Sequence, residues 1–402
     1  MSRTVYIVSA EPSGDLLSVD LIRDLRQLDP NIAILAIGGD AVRREGFYSV
    51  LDPSPLAVVG FVEGLRVLRE VTHLADMAAS HIMLTEPDAV VLVDSWGFSI
   101  RIAKQLRQRA FKGTIIKYVA PQVWAMRRGR AGVLSRHVDL LMTLYPFDVP
   151  YFRAEGLRAV CVGNPVLETD YATGDGPALR ARHGIDPTDP VLCVAFGSRP
   201  GEIARMTQPF LDTVAELRRR YPRLAVVAPT VSDIEAELRS RLLFGNDAGK
   251  SIIQVPESEK LDAFAAADFA LATSGTVTTQ LADAGVPTVV AYKVAPLTYR
   301  LAKWLFKADY ISIVNVVAKA PLMPEFIQDG VDPVAMADWL DGCLQHPTAS
   351  KKLQAALRAA TDSMRITGGE DDRHAARLVL QAIDTHNAAA KRAAANVMPW
   401  LN

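Results

Sequence analysis

Along the first half of the chain, apolar residues come in short, nearly unbroken runs at residues 5–8, 32–37, 89–93, 115–119, 140–143 and 160–162, separated by longer stretches with helical spacing. Unbroken runs, in place of apolar–polar alternation, are what strands covered by helices on both faces require. The pattern predicts a doubly wound α/β domain, in which ligands sit beyond the carboxyl ends of the strands. Around residues 165–177 it loosens into Gly, Asp and Thr, and Pro187-Thr188-Asp189-Pro190 is turn-like, so a linker is expected there. A second series follows, with strands expected at 191–196, 224–227, 252–255, 269–272 and 286–291 and helices that include 209–220 and 257–267. Residues 332–386 read as helical, and the tail at 388–395 is Ala-rich with basic residues. The expected fold is α/β, two Rossmann-like doubly wound domains facing across a cleft: residues 1–170 and 171–345, with residues 346–402 as C-terminal helices packing back on the first domain. Such a cleft is the natural place for an active site.

Composition narrows the function classes. With 402 residues, half of them hydrophobic and 22% charged, the chain packs a sizeable core and is long enough for two domains. Lys and Arg total 44 against 45 for Asp and Glu, which leaves no global basic field of the kind duplex nucleic acid selects. Cys161, Cys193 and Cys343 are far apart and fit neither a disulfide framework nor a zinc site, as expected for a reducing cytoplasm. The first apolar run is too short for a signal peptide, and no stretch reaches the ~18 apolar residues of a membrane-spanning helix. Membrane contact would therefore come from the side. The seven histidines show no metal-ligand spacing, and neither a Gly-x-Ser-x-Gly elbow nor a phosphate-binding Gly-x-x-x-x-Gly-Lys-Ser/Thr loop is present.

Five stretches carry candidate chemistry. Ser274-Gly275-Thr276 lies between an expected strand and helix, where free amides and hydroxyls meet the positive end of a helix dipole; it is either an anion site or a capped helix start. In the second domain, Gly197-Ser198-Arg199 with Glu202 follows a strand in the same way, and the two loops would hold both ends of a diphosphate. Near the N-terminus, Ser13-Gly14 would let backbone approach a ligand, with Glu11 and Asp15 as carboxylates at the mouth of the first strand. Asp94, at the end of a central strand, is either a general base or an N-cap. The loop from Tyr118 to Arg130 carries Trp124, suited to lie against a sugar or acyl group, and Arg127, suited to forked phosphate binding; a solvated basic helix start is the alternative. Two amphipathic stretches, Val62, Leu65, Leu68 and Val71 with Leu74, and Leu297, Leu301, Trp304 and Leu305 with Arg300, Lys303 and Lys307, fit either a core face or a membrane surface.

In order and spacing these pieces resemble the lipid-A-disaccharide synthases, glycosyltransferases of the two-Rossmann-domain (GT-B) type. The likeness runs from Glu11-Pro12-Ser13-Gly14-Asp15 through residues 56–63, Asp94, residues 118–127, Gly197-Ser198-Arg199 and Ser274-Gly275-Thr276 to Asn315, Glu325 and Gln328. The resemblance implies inverting transfer from UDP-2,3-diacylglucosamine to the 6-hydroxyl of 2,3-diacylglucosamine 1-phosphate (lipid X), with release of UDP and no metal or redox cofactor. It implies work at the cytoplasmic face of a Gram-negative inner membrane, as a peripheral protein associating through an apolar patch, with a homodimer open. On it, Asp94 is the base, with Glu11 and Asp15 beside it. Gly197, Ser198, Arg199, Glu202, Ser274, Gly275, Thr276, Gln280, Asn315, Glu325 and Gln328 line the donor side. Ser13, Gly14, Trp124, Arg127 and the Val62–Val71 stripe serve the acceptor or lipid. The chain departs from the family pattern at Ser95-Trp96-Gly97-Phe98-Ser99, where Asp-x-Pro-Asp-Phe-Asn is usual from Asp94, and at Phe196, Asn164 and Gln280, where Pro, His and Glu are usual. Two other classes fit the same residues: a related UDP-sugar transferase with a different acceptor, and a non-catalytic protein that binds nucleotide-sugar or lipid.

Overall fold

The computed structural model describes residues 3–52, 64–125, 127, 129–245, 247–295, 299, 308–366 and 374–397. The chain divides into two units, one formed by Met1–Gly163 with Ile366–Asn402 and the other by Asn164–Arg365. The break falls at 163/164, where the sequence pattern suggested 170/171. Each unit is a Rossmann-like, doubly wound α/β body with an all-parallel sheet, the fold class of the GT-B glycosyltransferases.

Among the described residues, the first unit contains β1 (Thr4–Val8), β2 (Ala33–Ile37), β3 (Ala89–Val93), β4 (Thr114–Tyr118), β5 (Leu140–Thr143) and β6 (Ala159–Cys161). They lie in the order β2-β1-β3-β4-β5-β6. The central strands β3 and β4 are buried at every position, which is why they read as unbroken apolar runs. On one face Leu21, Ile22 and Leu25 of the helix Pro12–Leu28 meet Val5, Ile7 and Val91, and Ala376, Val379 and Ile383 of the last helix, His374–Val397, join the same core. Arg3 fixes that helix from outside, paired with Asp384 at 3.0 Å and with Asp29 at 2.7 Å. On the other face Ala75, Ala78 and Ile82 of the helix Gly64–Thr85 pack with Ile102, Ala103 and Leu106 of the helix Trp96–Gln108.

The second unit contains β7 (Val191–Ala195), β8 (Ala225–Thr230), β9 (Ile253–Pro256), β10 (Phe269–Thr273), β11 (Thr288–Tyr292) and β12 (Glu325–Ile327), in the order β12-β11-β10-β7-β8-β9. The sequence pattern did not suggest β12, a three-residue edge strand that begins with a glutamate. The helix expected to start at Pro209 begins at Pro200 and runs to Arg220 with Pro209 inside it. The Thr213 hydroxyl donates to the Pro209 carbonyl at 2.9 Å, giving a partner to an acceptor close to the proline. Pro347–Asp362, expected to pack back on the first domain, belongs to the second unit, where Arg358 donates to the Ala284 carbonyl at 3.0 Å. The last helix alone is shared out to the first.

Candidate active site

In the first unit the chain leaves β1 and β3 in diverging directions, since β2 lies on the far side of β1 and β4 on the far side of β3. A ligand crevice is expected at such a switch point. There the helix Pro12–Leu28 starts beside the end of β3, and Gly14 permits the approach: a Cβ on it would lie 3.2 Å from the Asp94 Cβ. Asp94 and Ser95 are both left-handed, with φ of 47° and 38°, which costs about 1–3 kcal/mol each unless the surroundings fix them. They are fixed. The Asp94 N–H donates to the Tyr118 carbonyl at 3.0 Å, and its own carbonyl accepts from the Ser99 hydroxyl at 2.7 Å and from Lys117 Nζ at 2.6 Å. This leaves the half-exposed Asp94 carboxylate at the strand end, with Oδ2 accepting from the Ser13 hydroxyl at 3.2 Å.

Lys117 is the residue that sequence reasoning missed. Only 2% exposed, it donates to the carbonyls of Leu92 (3.2 Å), Asp94 (2.6 Å) and Tyr118 (2.9 Å), so one ammonium ties the ends of β3 and β4 together beneath the turn. Burial pushes its pKa down to about 8, while the negative charges of Asp94 and Glu11 pull it back upward. The available signal was a single lysine in a strand otherwise built for the core.

Several expected site residues do other work. Asp15, 4% exposed, accepts from the Ser9 hydroxyl (3.0 Å) and from the amides of Gly39 (2.7 Å), Ala41 (2.8 Å) and Val42 (3.3 Å). It orders the loop after β2 and the start of the helix Asp40–Arg44, and all these bonds leave it no place as a carboxylate at the mouth of β1. Glu11 precedes the helix Pro12–Leu28, half-exposed, close enough for its charge to act on Lys117. Trp124 turns onto Phe147, edge to face at 6.0 Å between centroids, and hydrogen-bonds the Asp148 carboxyl, so its ring is part of the unit's own packing. Arg127 is exposed and left-handed, φ 52°. Val71 packs with Leu74 against the first unit's core, which removes it from a lipid-facing stripe. Of Leu65 and Leu68 only the backbone, in the helix Gly64–Thr85, is described. Val62 and the stretch with Leu297, Arg300, Leu301, Lys303, Trp304, Leu305 and Lys307 lie outside the described residues.

The second unit has its own switch point, between β7 and β10, and a cavity of about 280 Å³ opens there. Gly197, Ser198, Arg199 and Glu202 line it from the β7 side, and Ser274, Gly275, Thr276 and Gln280 from the β10 side. The first turn of the helix Thr276–Ala284 carries amides with no intrahelical partner, at the positive end of its dipole. Gly197 has φ 110°, and a Cβ there would lie 2.7 Å from Glu202 Oε2, so only glycine fits. Glu202 is the hub of this wall: 6% exposed, it accepts from the Ser198 amide (3.2 Å), Arg199 (3.1 Å) and the Tyr292 hydroxyl (3.2 Å). Burial and the Glu202 charge raise the Tyr292 pKa and keep that hydroxyl protonated as a donor. The Arg199 side chain stays 76% exposed, free to move onto a ligand.

Gln280 donates to the Tyr171 hydroxyl at 3.0 Å. Pro229, Val231, Glu257, Lys260 and Phe264 complete the lining; none was singled out in the sequence, since they come from three elements far apart in the chain. Asn315, Glu325 and Gln328 do not line this cavity. Asn315 is fully buried and exchanges hydrogen bonds with the Met323 backbone (2.6 and 2.9 Å). Glu325 accepts from the amides of Ile311 and Ser312, both at 2.8 Å, and from Asn315 at 2.9 Å. Gln328 clasps the Val294 backbone at 2.7 and 3.1 Å. These three fix loops beside β11 and β12.

Residues 5–377 match the family model described as lipid-A-disaccharide synthetase. The chain belongs to the lipid-A-disaccharide synthetase family. It is thereby a glycosyltransferase of lipid A biosynthesis. Among curated members, lipid-A-disaccharide synthase of Paramagnetospirillum magneticum is 38% identical over 382 residues, covering 94% of this chain and 97% of that protein. The enzyme of the same name from Rhodospirillum centenum is 35% identical, covering 94% of each. Among solved structures, a UDP co-structure of S. aureus MnaA superposes with a TM-score of 0.58 at 12% identity, covering 96% of this chain and 97% of that one, a likeness of fold. No helix among the described residues is long and apolar enough to cross a membrane.

Proposed function

We propose that the chain joins UDP-2,3-diacylglucosamine to 2,3-diacylglucosamine 1-phosphate with inversion, giving the lipid A disaccharide 1-phosphate and UDP. The observation that carries this beyond family membership is the pair of unlike switch-point sites: a held carboxylate in one unit, and an anion-ready cavity in the other. The acceptor 6-hydroxyl would lose its proton to Asp94 as its oxygen bonds to the anomeric carbon, and the carbon–oxygen bond to the diphosphate would break with the electron pair leaving on UDP. Ser13, donating to Asp94 Oδ2, would hold the carboxylate in line. Arg199 and the amides of Ser274–Thr276 suit the charge that grows on UDP. Pro229, Val231 and Phe264, beside the polar Glu257 and Lys260, suit a flat base with polar edges. The lipid substrates call for work at the inner-membrane surface as a peripheral protein.

Trp96 and Gly97 leave Asp94 without the neighbouring carboxylate usual in the family, and the three-carbonyl grip of Lys117 supplies rigidity there instead. Gln280 with Tyr171 offers a neutral hydroxyl–amide pair where the family's ribose-binding carboxylate is usual. The test is disaccharide formation from the two purified lipids, with Asp94→Ala losing turnover by about 10²-fold or more while retaining UDP. UDP binding without transfer by the wild-type chain would overturn the reading in favour of a non-catalytic protein.

A further inference from the structure

Arg130 is a half-buried cation with no ion-pair partner among the described residues. Its Nε is buried and has no hydrogen-bond partner, and its guanidinium lies 5.0 Å over the ring of Trp96. Trp96 opens the helix that follows Asp94 and Ser95, so the stacking places Arg130 at the start of that helix. Burial and the neighbouring charge of Arg127 both push its pKa down, and no carboxylate among the described residues contributes against them. A partly desolvated guanidinium that feels a second positive charge and no negative one is costly. The indole lies against one face of the guanidinium, and the planar fork of its N–H groups matches a phosphoryl group.

Described residues around the two arginines pack into the unit. Val123 and Ala125 are 1% and 0% exposed, Trp124 is packed on Phe147, and the Arg130 amide closes a turn onto the Arg127 carbonyl at 2.9 Å.

We infer that Arg130, stacked on Trp96 and assisted by Arg127, is the subsite for the phosphomonoester of the acceptor. This rests on the proposed acceptor being a sugar phosphate; the subsite itself is argued from the unpartnered guanidinium stacked on Trp96, at the start of the helix that follows Asp94.

The experiment measures binding, so that it stands apart from turnover. Full-length protein carrying Asp94→Ala is titrated by calorimetry in mixed micelles with 2,3-diacylglucosamine 1-phosphate and with the same lipid lacking its phosphate. The expected result is that the phosphate tightens binding about 10- to 100-fold, that Arg130→Gln abolishes this difference, and that Arg130→Lys keeps part of it, showing that the site survives substitution. Equal affinity for the two lipids, or an unchanged preference in Arg130→Gln, would overturn the inference. Inorganic phosphate and phosphatidylglycerol micelles are the control probes: an equal loss of binding to either in Arg130→Gln would make this a general anion or membrane site and also overturn it. A preserved phosphate preference in a wild-type chain that transfers no sugar would sink the proposed reaction and leave the subsite standing.

Discussion

Replacing Lys117 with methionine removes the ammonium while nearly keeping its volume. Two consequences have opposite signs. The lysine is held in the fold with its pKa lowered from 10.5 to about 8, so between pH 8 and 10.5 the unfolded chain binds a proton the folded one has released. Stability therefore rises with pH across that window, by on the order of 3 kcal/mol, and at pH 7 the charged lysine is a burden the methionine variant lacks. Against this, the variant loses three hydrogen bonds to the carbonyls of Leu92, Asp94 and Tyr118, worth about 1.5–3 kcal/mol each when the donor is charged. The two left-handed residues Asp94 and Ser95 then keep Ser99, the Tyr118 carbonyl and the Ser13 hydroxyl as restraints. We expect the turn to relax and kcat to fall about 10- to 100-fold, the effect of displacing a reacting group by ~1 Å. UDP affinity should not change, because the cavity that suits UDP is lined by second-unit residues. Steady-state kinetics, UDP calorimetry and chemical unfolding at pH 7.5 and 9.5 read the three effects separately. A folded Lys117→Met protein with wild-type kcat would refute the clasp, and a stability slope with pH identical to wild type would refute the lowered pKa.

Two further outcomes follow from the same geometry. Arg199→Ala should weaken UDP binding about tenfold or more with Tm within a degree or two, since the side chain is exposed and its partner Glu202 keeps two other donors; unchanged affinity by calorimetry would remove Arg199 from the site. Asp148 is 6% exposed with Oδ1 unpartnered, and burial raises its pKa from 3.8 to about 7, so its folded form prefers the proton and stability falls as pH climbs from 4 to 7. Asp148→Asn should unfold at higher denaturant than wild type at pH 7.5, by up to about 4 kcal/mol, with the advantage gone near pH 4; an equal advantage at both pH values would contradict the shift.

The strands were legible because burial on both faces leaves only apolar side chains, and residues 89–93 and 140–143 coincide with β3 and β5. Short, edge or mixed elements were not: β12 has three residues and starts with Glu325, and Pro209 resembled a helix start because the residues that continue the helix backward to Pro200 include Gly201 and Glu202. The two switch-point loops were also legible, from Gly-Ser turns placed after strands. What a sequence withholds is the partner. Asp15 and Asp94 are both carboxylates after first-unit strands; Asp15 is consumed by amides 24 to 27 positions on, while Asp94 keeps its carboxylate at the surface. Asn315, Glu325 and Gln328 have backbone and side-chain partners that their sequence did not announce, and Lys117 stayed hidden because its three acceptors are backbone atoms without any sequence signature.

The first unit is assembled from both ends of the chain, with Ala376, Val379 and Ile383 of the final helix sealing the core over Val5, Ile7 and Val91. During synthesis this unit waits for its last helix while the whole second unit is made and able to fold. A message cut short after residue 365 would thus release a complete second unit joined to an unroofed first one, its sheet laid open to aggregation.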